Sequence, residues 1–266
     1  MLAVVGASLY YEGRGTSGLP LVLVHGFPLD HAMWRGQLDG LSREARVVAL
    51  DLPGFGRSPP LSNGSTPVTM EQLADQVVSL ADALGFQKFV LGGLSMGGYV
   101  AMAVSRRHLA RLAGLILVDT RAEPDTDEGK SSRLLAAKQV LTSGLSTLVE
   151  ESPKKLLAPD SQRNCALVRK VEHMIWRSSW AGVAGTLRGM AERPDARPDL
   201  ARLRIPTIVI VGEQDVITPP QGAQKLAASI PQAELVVIAG AGHLSPLEAP
   251  RAVNSTIRAF LGRLSA

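Results

Sequence analysis

Short apolar runs alternate with amphipathic stretches along this chain. Residues 21–24, 47–50, 89–92, 114–118, 207–211 and 234–238 are almost wholly apolar, with no polar face. Runs of this length without alternation predict buried parallel strands, covered on both sides. Segments near 69–84, 96–107, 222–229 and 249–262 lie between or after them and predict helices. Thr69, followed by Glu71 and Gln72, marks a helix start, read here without the strict capping-box spacing. Gly85 stands where that helix should end. Residues Ala7–Tyr11 predict an antiparallel edge strand paired with Leu2–Val5. The alternation implies right-handed crossovers and a doubly wound, mostly parallel α/β sheet. Its site should lie at the C-terminal ends of the strands. No internal repeat or low-complexity segment interrupts the pattern.

One stretch breaks the alternation. Residues 122–197 contain no strand-like run. They begin with the polar Glu123-Pro124-Asp125-Thr126-Asp127-Glu128 and end at the proline-rich Arg193-Pro194-Asp195-Ala196-Arg197-Pro198. Helical spacing appears between, as in Leu134-Leu135-Lys138-Val140-Leu141 and Val168-Val171-Met174-Ile175. A structureless loop of that length does not suit a compact domain. The expectation is a helical cap over 122–197, inserted into a sheet domain formed by 1–121 and 198–266. Trp176 and Trp180, four apart, are expected on one helical face, either lining an acyl pocket or packing in the cap core. Cys165 in this insertion is expected to be buried filler.

The chemistry starts at Gly93-Leu94-Ser95-Met96-Gly97. It joins the run Phe89-Val90-Leu91 to the helix-like Tyr99–Val104, which is strand, sharp turn, helix with a serine at the turn. A strained turn of this kind lifts the hydroxyl into the open and leaves little room for neighbouring side chains, which the glycines satisfy. No lysine lies near, so a phosphate loop is not indicated. A serine nucleophile needs a base, and the base needs an orienting group. Of five histidines, His31, His108 and His173 fall in helical or helix-flanking segments and read as surface or packing residues. His243 follows the run Glu234–Ile238 in a loop loosened by Gly240 and Gly242, and is the candidate base. Asp215, just past Thr207–Val211, is the candidate acid, with Glu213 and Asp119 as rivals. The order Ser95, Asp215, His243 is that of an α/β-hydrolase triad. The backbone N–H of Met96 would serve one side of an oxyanion hole and that of Phe27, in His25-Gly26-Phe27-Pro28, the other. Pro28 has no N–H to offer. His25 then reads as a structural hydrogen bonder.

Those segments, with Asp51-Leu52-Pro53-Gly54-Phe55-Gly56-Arg57-Ser58 and Gly212-Glu213-Gln214-Asp215, resemble the α/β-hydrolase superfamily, in its serine-esterase and enol-lactonase branch. The resemblance spans residues 25 to 243. It implies acyl transfer to water through a covalent acyl-enzyme, and makes Trp34 and Met96 expected pocket walls. Haloalkane dehalogenases and epoxide hydrolases carry aspartate where Ser95 stands, which argues against both reactions. The elbow resembles that of 3-oxoadipate enol-lactonases, whereas His25-Gly26-Phe27-Pro28 looks more like esterases and cofactor-free perhydrolases.

Composition trims this picture without redirecting it. The 266 residues are 45% hydrophobic and 4% aromatic, which suits one domain with an aliphatic core. A lone cysteine excludes an internal disulfide and Cys-based metal sites, so a cytoplasmic location is expected. No run of about 18 apolar residues suggests a membrane span, and Met1–Gly6 does not read as an export signal. The net charge of +4 is spread over the chain with no basic stripe, so nucleic acid is not an expected partner. The expected function is hydrolysis of a small carboxylic ester by Ser95, His243 and Asp215, with neither metal nor organic cofactor. Enol-lactonase or perhydrolase activity uses the same groups and stands as the alternative. A non-catalytic receptor on this fold would be expected to lack one of the three.

Overall fold

A computed structural model describes residues 9–264. Strands β1 (Tyr11–Arg14), β2 (Leu19–Val24) and β3 (Ala45–Leu50) open the chain, with helix α1 (Arg35–Gly40) before β3. Then come α2 (Met70–Ala83), β4 (Phe89–Leu94), α3 (Met96–Arg107) and β5 (Leu112–Val118). Six helices follow without a strand: α4 (Asp127–Ser143), α5 (Ser146–Leu156), α6 (Pro159–Gln162), α7 (Cys165–Trp176), α8 (Trp180–Ala191) and α9 (Arg197–Leu200). The chain ends with β6 (Thr207–Gly212), α10 (Pro220–Ala228), β7 (Glu234–Ile238), α11 (Ser245–Glu248) and α12 (Pro250–Leu264).

The seven strands form one sheet in the order β1-β3-β2-β4-β5-β6-β7. Only β1 runs antiparallel; Tyr11 pairs with Leu50 and Arg14 with Val47. All other pairs are parallel. Every residue of β4 and β6 is buried, as expected of strands covered by helices on both faces. The six apolar runs are all strands. The last of them departs from expectation: β7 is an edge strand, only half buried, with Val237 44% exposed. The predicted edge pair also shifts. Leu2–Val5, Ala7 and Ser8 lie outside the described residues, and the edge strand starts at Tyr11 rather than ending there. Among the described residues no helix is long and apolar enough to cross a membrane.

Helix α2 is fixed at both ends by local chemistry. Its N-terminus is a full capping box after all: Gln72 N–H donates to the Thr69 hydroxyl (3.2 Å), and Thr69 N–H donates to the Gln72 side chain (2.9 Å). Thr69 and Gln72 have the required spacing of three. At the other end Gly85 takes a left-handed φ of 73° and its N–H donates to Asp82 O.

The segment between β5 and β6 is helical, as the loss of alternation implied. Helices α4 and α8 pack on each other, and α8 also meets the loops at Gly54 and Val68. Gly54, at φ 86°, comes so close to Gly182 of α8 that a Cβ on either would sit 2.3 Å from the other's Cα. Val68 N–H donates to Gly185 O and Ser179 N–H to Gly54 O, so backbone meets backbone along this seam. Cys165 opens α7 and is exposed, because it lies on the solvent side of the first turn; it is not filler.

Candidate active site

Ser95 stands between β4 and α3 with φ 54° and ψ −112°, a strained conformation for a residue with a side chain. Neighbouring hydrogen bonds hold it there. Ser95 N–H donates to Val118 O (2.9 Å), and Ser95 O accepts from the Thr120 hydroxyl (2.8 Å) and Gly98 N–H (2.9 Å). The turn is closed so tightly that a Cβ on Gly93 would lie 2.1 Å from Gly97 O. One on Gly97 would lie 2.3 Å from Val24 O. The glycine spacing is therefore a steric requirement of bringing α3 over the end of β2.

The ends of β6 and β7 bring Asp215 and His243 together. His243 Nδ1 lies 2.8 Å from Asp215 Oδ2. The carboxylate also accepts from Ile217 N–H (2.8 Å), Thr218 N–H (2.9 Å) and the Thr218 hydroxyl (2.6 Å). Burial alone would raise the Asp215 pKa, but the hydrogen bonds from His243 and Thr218 prevail and hold it below the usual carboxylate range. An ionised carboxylate only accepts, so His243 carries its proton on Nδ1 and leaves Nε2 with a free lone pair. Burial lowers the His243 pKa, and the hydrogen bond and charge of Asp215 more than reverse this, so it ends above 6.5. Ser95 and His243 line one cavity of about 230 Å³.

The rival acids are occupied elsewhere. Glu213 accepts from Gly240 N–H (2.8 Å). Asp119 is fully buried and braces two strand ends, accepting from Gly212 N–H (2.7 Å), the Ser245 hydroxyl (2.6 Å) and Ser245 N–H (3.3 Å). Burial pushes its pKa up to about 7, with the negative charge of Asp215 adding to the rise. Glu248, which sequence reasoning missed, pins the His243 loop by accepting from Gly242, Leu244 and Ala158 N–H. Its position five residues after His243, in a new helix, was the available clue.

His25 has a structural role. Leu52 N–H donates to Nε2 (3.0 Å), so the proton sits on Nδ1, which donates to Gly26 O (3.0 Å). Burial lowers its pKa and keeps the ring neutral. The N–H groups of Phe27 and Met96 have no acceptor among the described residues. Met96 is the first residue of α3, where an amide has no intrahelical partner.

The three tryptophans do not line this cavity. Trp34 is fully buried in the core. The helix breaks at residues 177–179, so Trp176 ends α7 and Trp180 starts α8, and they share no helical face. Both are about half exposed, at 53% and 49%. The insertion contributes Arg133, Leu148, Lys155 and Met190 to the lining instead. Behind this wall Asp125, its side chain 2% exposed, pairs with Arg121, Arg133 and Arg193. Burial works against its charge, but Arg193 and Arg133 hold its pKa down at about 2.

Asp30, His31 and Asp51 bring a carboxylate, an imidazole and a second carboxylate within 4.8 Å, an arrangement a metal can use. Here the lone pairs are already engaged. His31 Nδ1 meets Asp51 (2.7 Å), Arg57 N–H donates to Asp51 (2.9 Å), and Ala32 N–H and Arg177 bond to Asp30. The cluster knits the Asp51–Ser58 turn to the start of α1 and to the insertion. His31, expected at the surface or in packing, is buried within it.

Known proteins share this architecture. The chain is 45% identical to a thermophilic esterase from Thermogutta terrifontis solved with malate bound. That likeness covers 97% of this chain and 94% of the esterase, with a TM-score of 0.93. It is 33% identical to the dihydrolipoyllysine-residue acetyltransferase component of an acetoin cleaving system from Pseudomonas putida, over 97% of this chain and 68% of that protein. It is 29% identical to 3-oxoadipate enol-lactonase 1 of Acinetobacter baylyi, over 92% of this chain and 90% of the lactonase. The profile of the alpha/beta hydrolase fold family matches residues 20–250, and the chain belongs to that family.

Proposed function

We propose that this protein hydrolyses small carboxylic esters with Ser95 as nucleophile, His243 as base and Asp215 as orienting acid. One observation carries the reading. Asp215 holds His243 with its Nε2 lone pair free, and that ring shares a cavity with a serine on a strained strand-to-helix turn.

In this reading Ser95 Oγ attacks the ester carbonyl as His243 Nε2 takes its proton. The imidazolium is stabilised by the Asp215 charge, in keeping with the upward pKa of His243. The carbonyl oxygen becomes an oxyanion and is held by the Phe27 and Met96 N–H groups, which have no other acceptor among the described residues. Collapse expels the alcohol, protonated by His243, and leaves an acyl-enzyme. Water then attacks with His243 again as base and releases the acid. No step calls on a metal or organic cofactor. Residues 122–197 act as a cap, since Arg133, Leu148, Lys155 and Met190 wall the cavity from above the sheet domain. A lactone is a cyclic ester open to the same attack, and the likeness to enol-lactonase 1 favours it as a second substrate class.

The test is covalent labelling. A fluorophosphonate should add one mass equivalent per chain, on the peptide containing Ser95, and Ser95→Ala should lose both the label and ester turnover. Undiminished labelling or turnover in Ser95→Ala would end the proposal.

A further inference from the structure

The cavity beside Ser95 has more positive charge on its walls than the protein neutralises. Arg121, Arg133 and Lys155 line it, and Glu151 is the only carboxylate among the lining residues. Glu151 is already met by Lys154 at 2.9 Å and Lys155 at 3.9 Å. Behind the wall a single carboxylate, Asp125, serves three guanidinium groups, from Arg121, Arg133 and Arg193. Arg193 has other company: it lies 4.2 Å over the Tyr99 ring and donates to Met190 O and Glu123 O. Arg121 and Arg133 have less. Arg121 adds only the Tyr99 hydroxyl to Asp125, Arg133 Nη1 meets only the Met190 sulfur at 3.5 Å, and Lys155 reaches Glu151 only at 3.9 Å.

An ion pair that merely fastened the insertion would not need this surplus. Each guanidinium offers about five N–H donors in a fixed fork. Cations that share too few anions in a partly buried wall are costly. A carboxylate entering the cavity would accept the spare donors and offset the charge. The volume of about 230 Å³ suits a small acid, since pockets for drug-sized ligands start at roughly 300 Å³.

We infer that the ester or lactone this protein takes bears a free carboxylate, bound by Arg121, Arg133 and Lys155 while Ser95 attacks the ester carbonyl. The inference rests on the proposed role of Ser95. It adds a class of substrate: half-esters of short dicarboxylic acids, or esters of short hydroxy acids.

Two series of esters test it on the intact protein by alcohol or acid release. Monomethyl succinate, glutarate and adipate are compared with methyl butyrate, valerate and hexanoate, which lack the charge. Acetoxyacetate and 3-acetoxypropionate are compared with ethyl and propyl acetate, which probes a carboxylate on the alcohol side. In at least one series the charged ester should have kcat/KM about 10- to 100-fold above its neutral partner, the worth of one charge-assisted hydrogen bond. That ratio should fall at least tenfold in Arg133→Gln and in Lys155→Gln, mainly through KM, because the contact persists from bound substrate to transition state. Lys155 sits at the cavity rim with its side chain 67% exposed, so Lys155→Gln reports even if Arg133→Gln folds poorly. Arg43→Gln, an exposed arginine away from the cavity, should leave the ratio unchanged.

Binding of monomethyl glutarate to Ser95→Ala, read by calorimetry, gives a measure free of turnover, and Lys155→Gln should weaken it at least tenfold. Equal turnover of charged and neutral esters in both series, with Ser95 still labelled by fluorophosphonate, would overturn this inference and leave the esterase reading standing. Loss of labelling and of all ester turnover would strike the esterase reading instead. In that event, absence of binding heat from monomethyl glutarate would overturn the carboxylate site as well.

Discussion

Replacing Asp215 by Asn should stop the reaction without disturbing the fold, and the hydrogen-bond pattern gives the reason. Oδ1 of Asp215 accepts from two backbone N–H groups, of Ile217 and Thr218. In Asp215→Asn the amide oxygen must stay there, which puts the NH₂ where Oδ2 faces His243. An NH₂ can only donate, so His243 must present a bare Nδ1 to it and carry its proton on Nε2. The lone pair that the proposed mechanism needs for the Ser95 proton is then gone. A wrong tautomer of this kind is worth about 10⁴ in turnover, or about 5.5 kcal/mol. Asp119→Asn is the matched control. Its amide oxygen can keep Gly212 N–H while its NH₂ donates to the Ser245 hydroxyl, and only the 3.3 Å bond from Ser245 N–H is lost. That substitution should cost less than tenfold. Steady-state hydrolysis of p-nitrophenyl acetate by both variants, with circular dichroism as a check on folding, decides the matter. Near-normal turnover in Asp215→Asn beside an inactive, folded Asp119→Asn would refute the assignment.

The pH profile of kcat/KM should rise with pH to a half-maximum above 6.5, because in the proposed mechanism His243 must be neutral to take the serine proton and the Asp215 charge raises its pKa; a midpoint at or below 6 on a neutral ester contradicts this. Folded Asp119 keeps its proton up to about 7, whereas an unfolded carboxyl loses it near 3.9. Between those values the folded state binds more protons, so stability falls as pH rises, by about 4 kcal/mol over roughly three pH units. Urea titrations at pH 4.5 and 8 should show this fall shrinking in Asp119→Asn, and an unchanged difference would sink the account. Gly97→Ala should destabilise by roughly 3 kcal/mol, because its Cβ would meet Val24 O and His25 O, both backbone. Gly222→Ala in α10 meets nothing within 4 Å and should be neutral or slightly stabilising, so equal denaturation midpoints for the two variants would discount the steric argument.

The sequence carried most of this fold because its strands are buried on both faces and so are apolar without interruption. That same rule misjudged β7, where an edge strand keeps the apolar run of Leu235–Ile238 but lacks a neighbour beyond it. That Asp215 would meet His243, and that Ser95 would share a cavity with that ring, was legible because each follows a strand in the chain, and parallel strands end on one side of the sheet. The Thr69 capping box was present in the letters and simply misread. The tryptophans were not legible, because spacing of four implies a shared face only within one helix. Arg177-Ser178-Ser179 ends one helix and caps the next through the Ser179 hydroxyl. The arginines in and behind the cavity wall were also beyond reach. Arg121, Arg133 and Arg193 are scattered over more than seventy positions and meet only through the fold of the insertion around Asp125.

The seam between Gly54 and Gly182 divides the insertion into parts with different freedom to change. Helix α8 meets the Gly54 and Val68 segments backbone to backbone, and three of its glycines, 182, 185 and 189, have no room for even a methyl group without something shifting. A side chain at Gly182 or Gly189 would meet backbone and force something to shift, so the seam resists drift. Helix α5 is under no such restraint. It brings Leu148, Glu151, Ser152, Lys155 and Leu156 to the cavity and has most of its outer face in water. Selection can therefore rewrite α5 residue by residue, trading one ester for another, while the glycine seam keeps the chamber's shape and the serine below it out of the experiment.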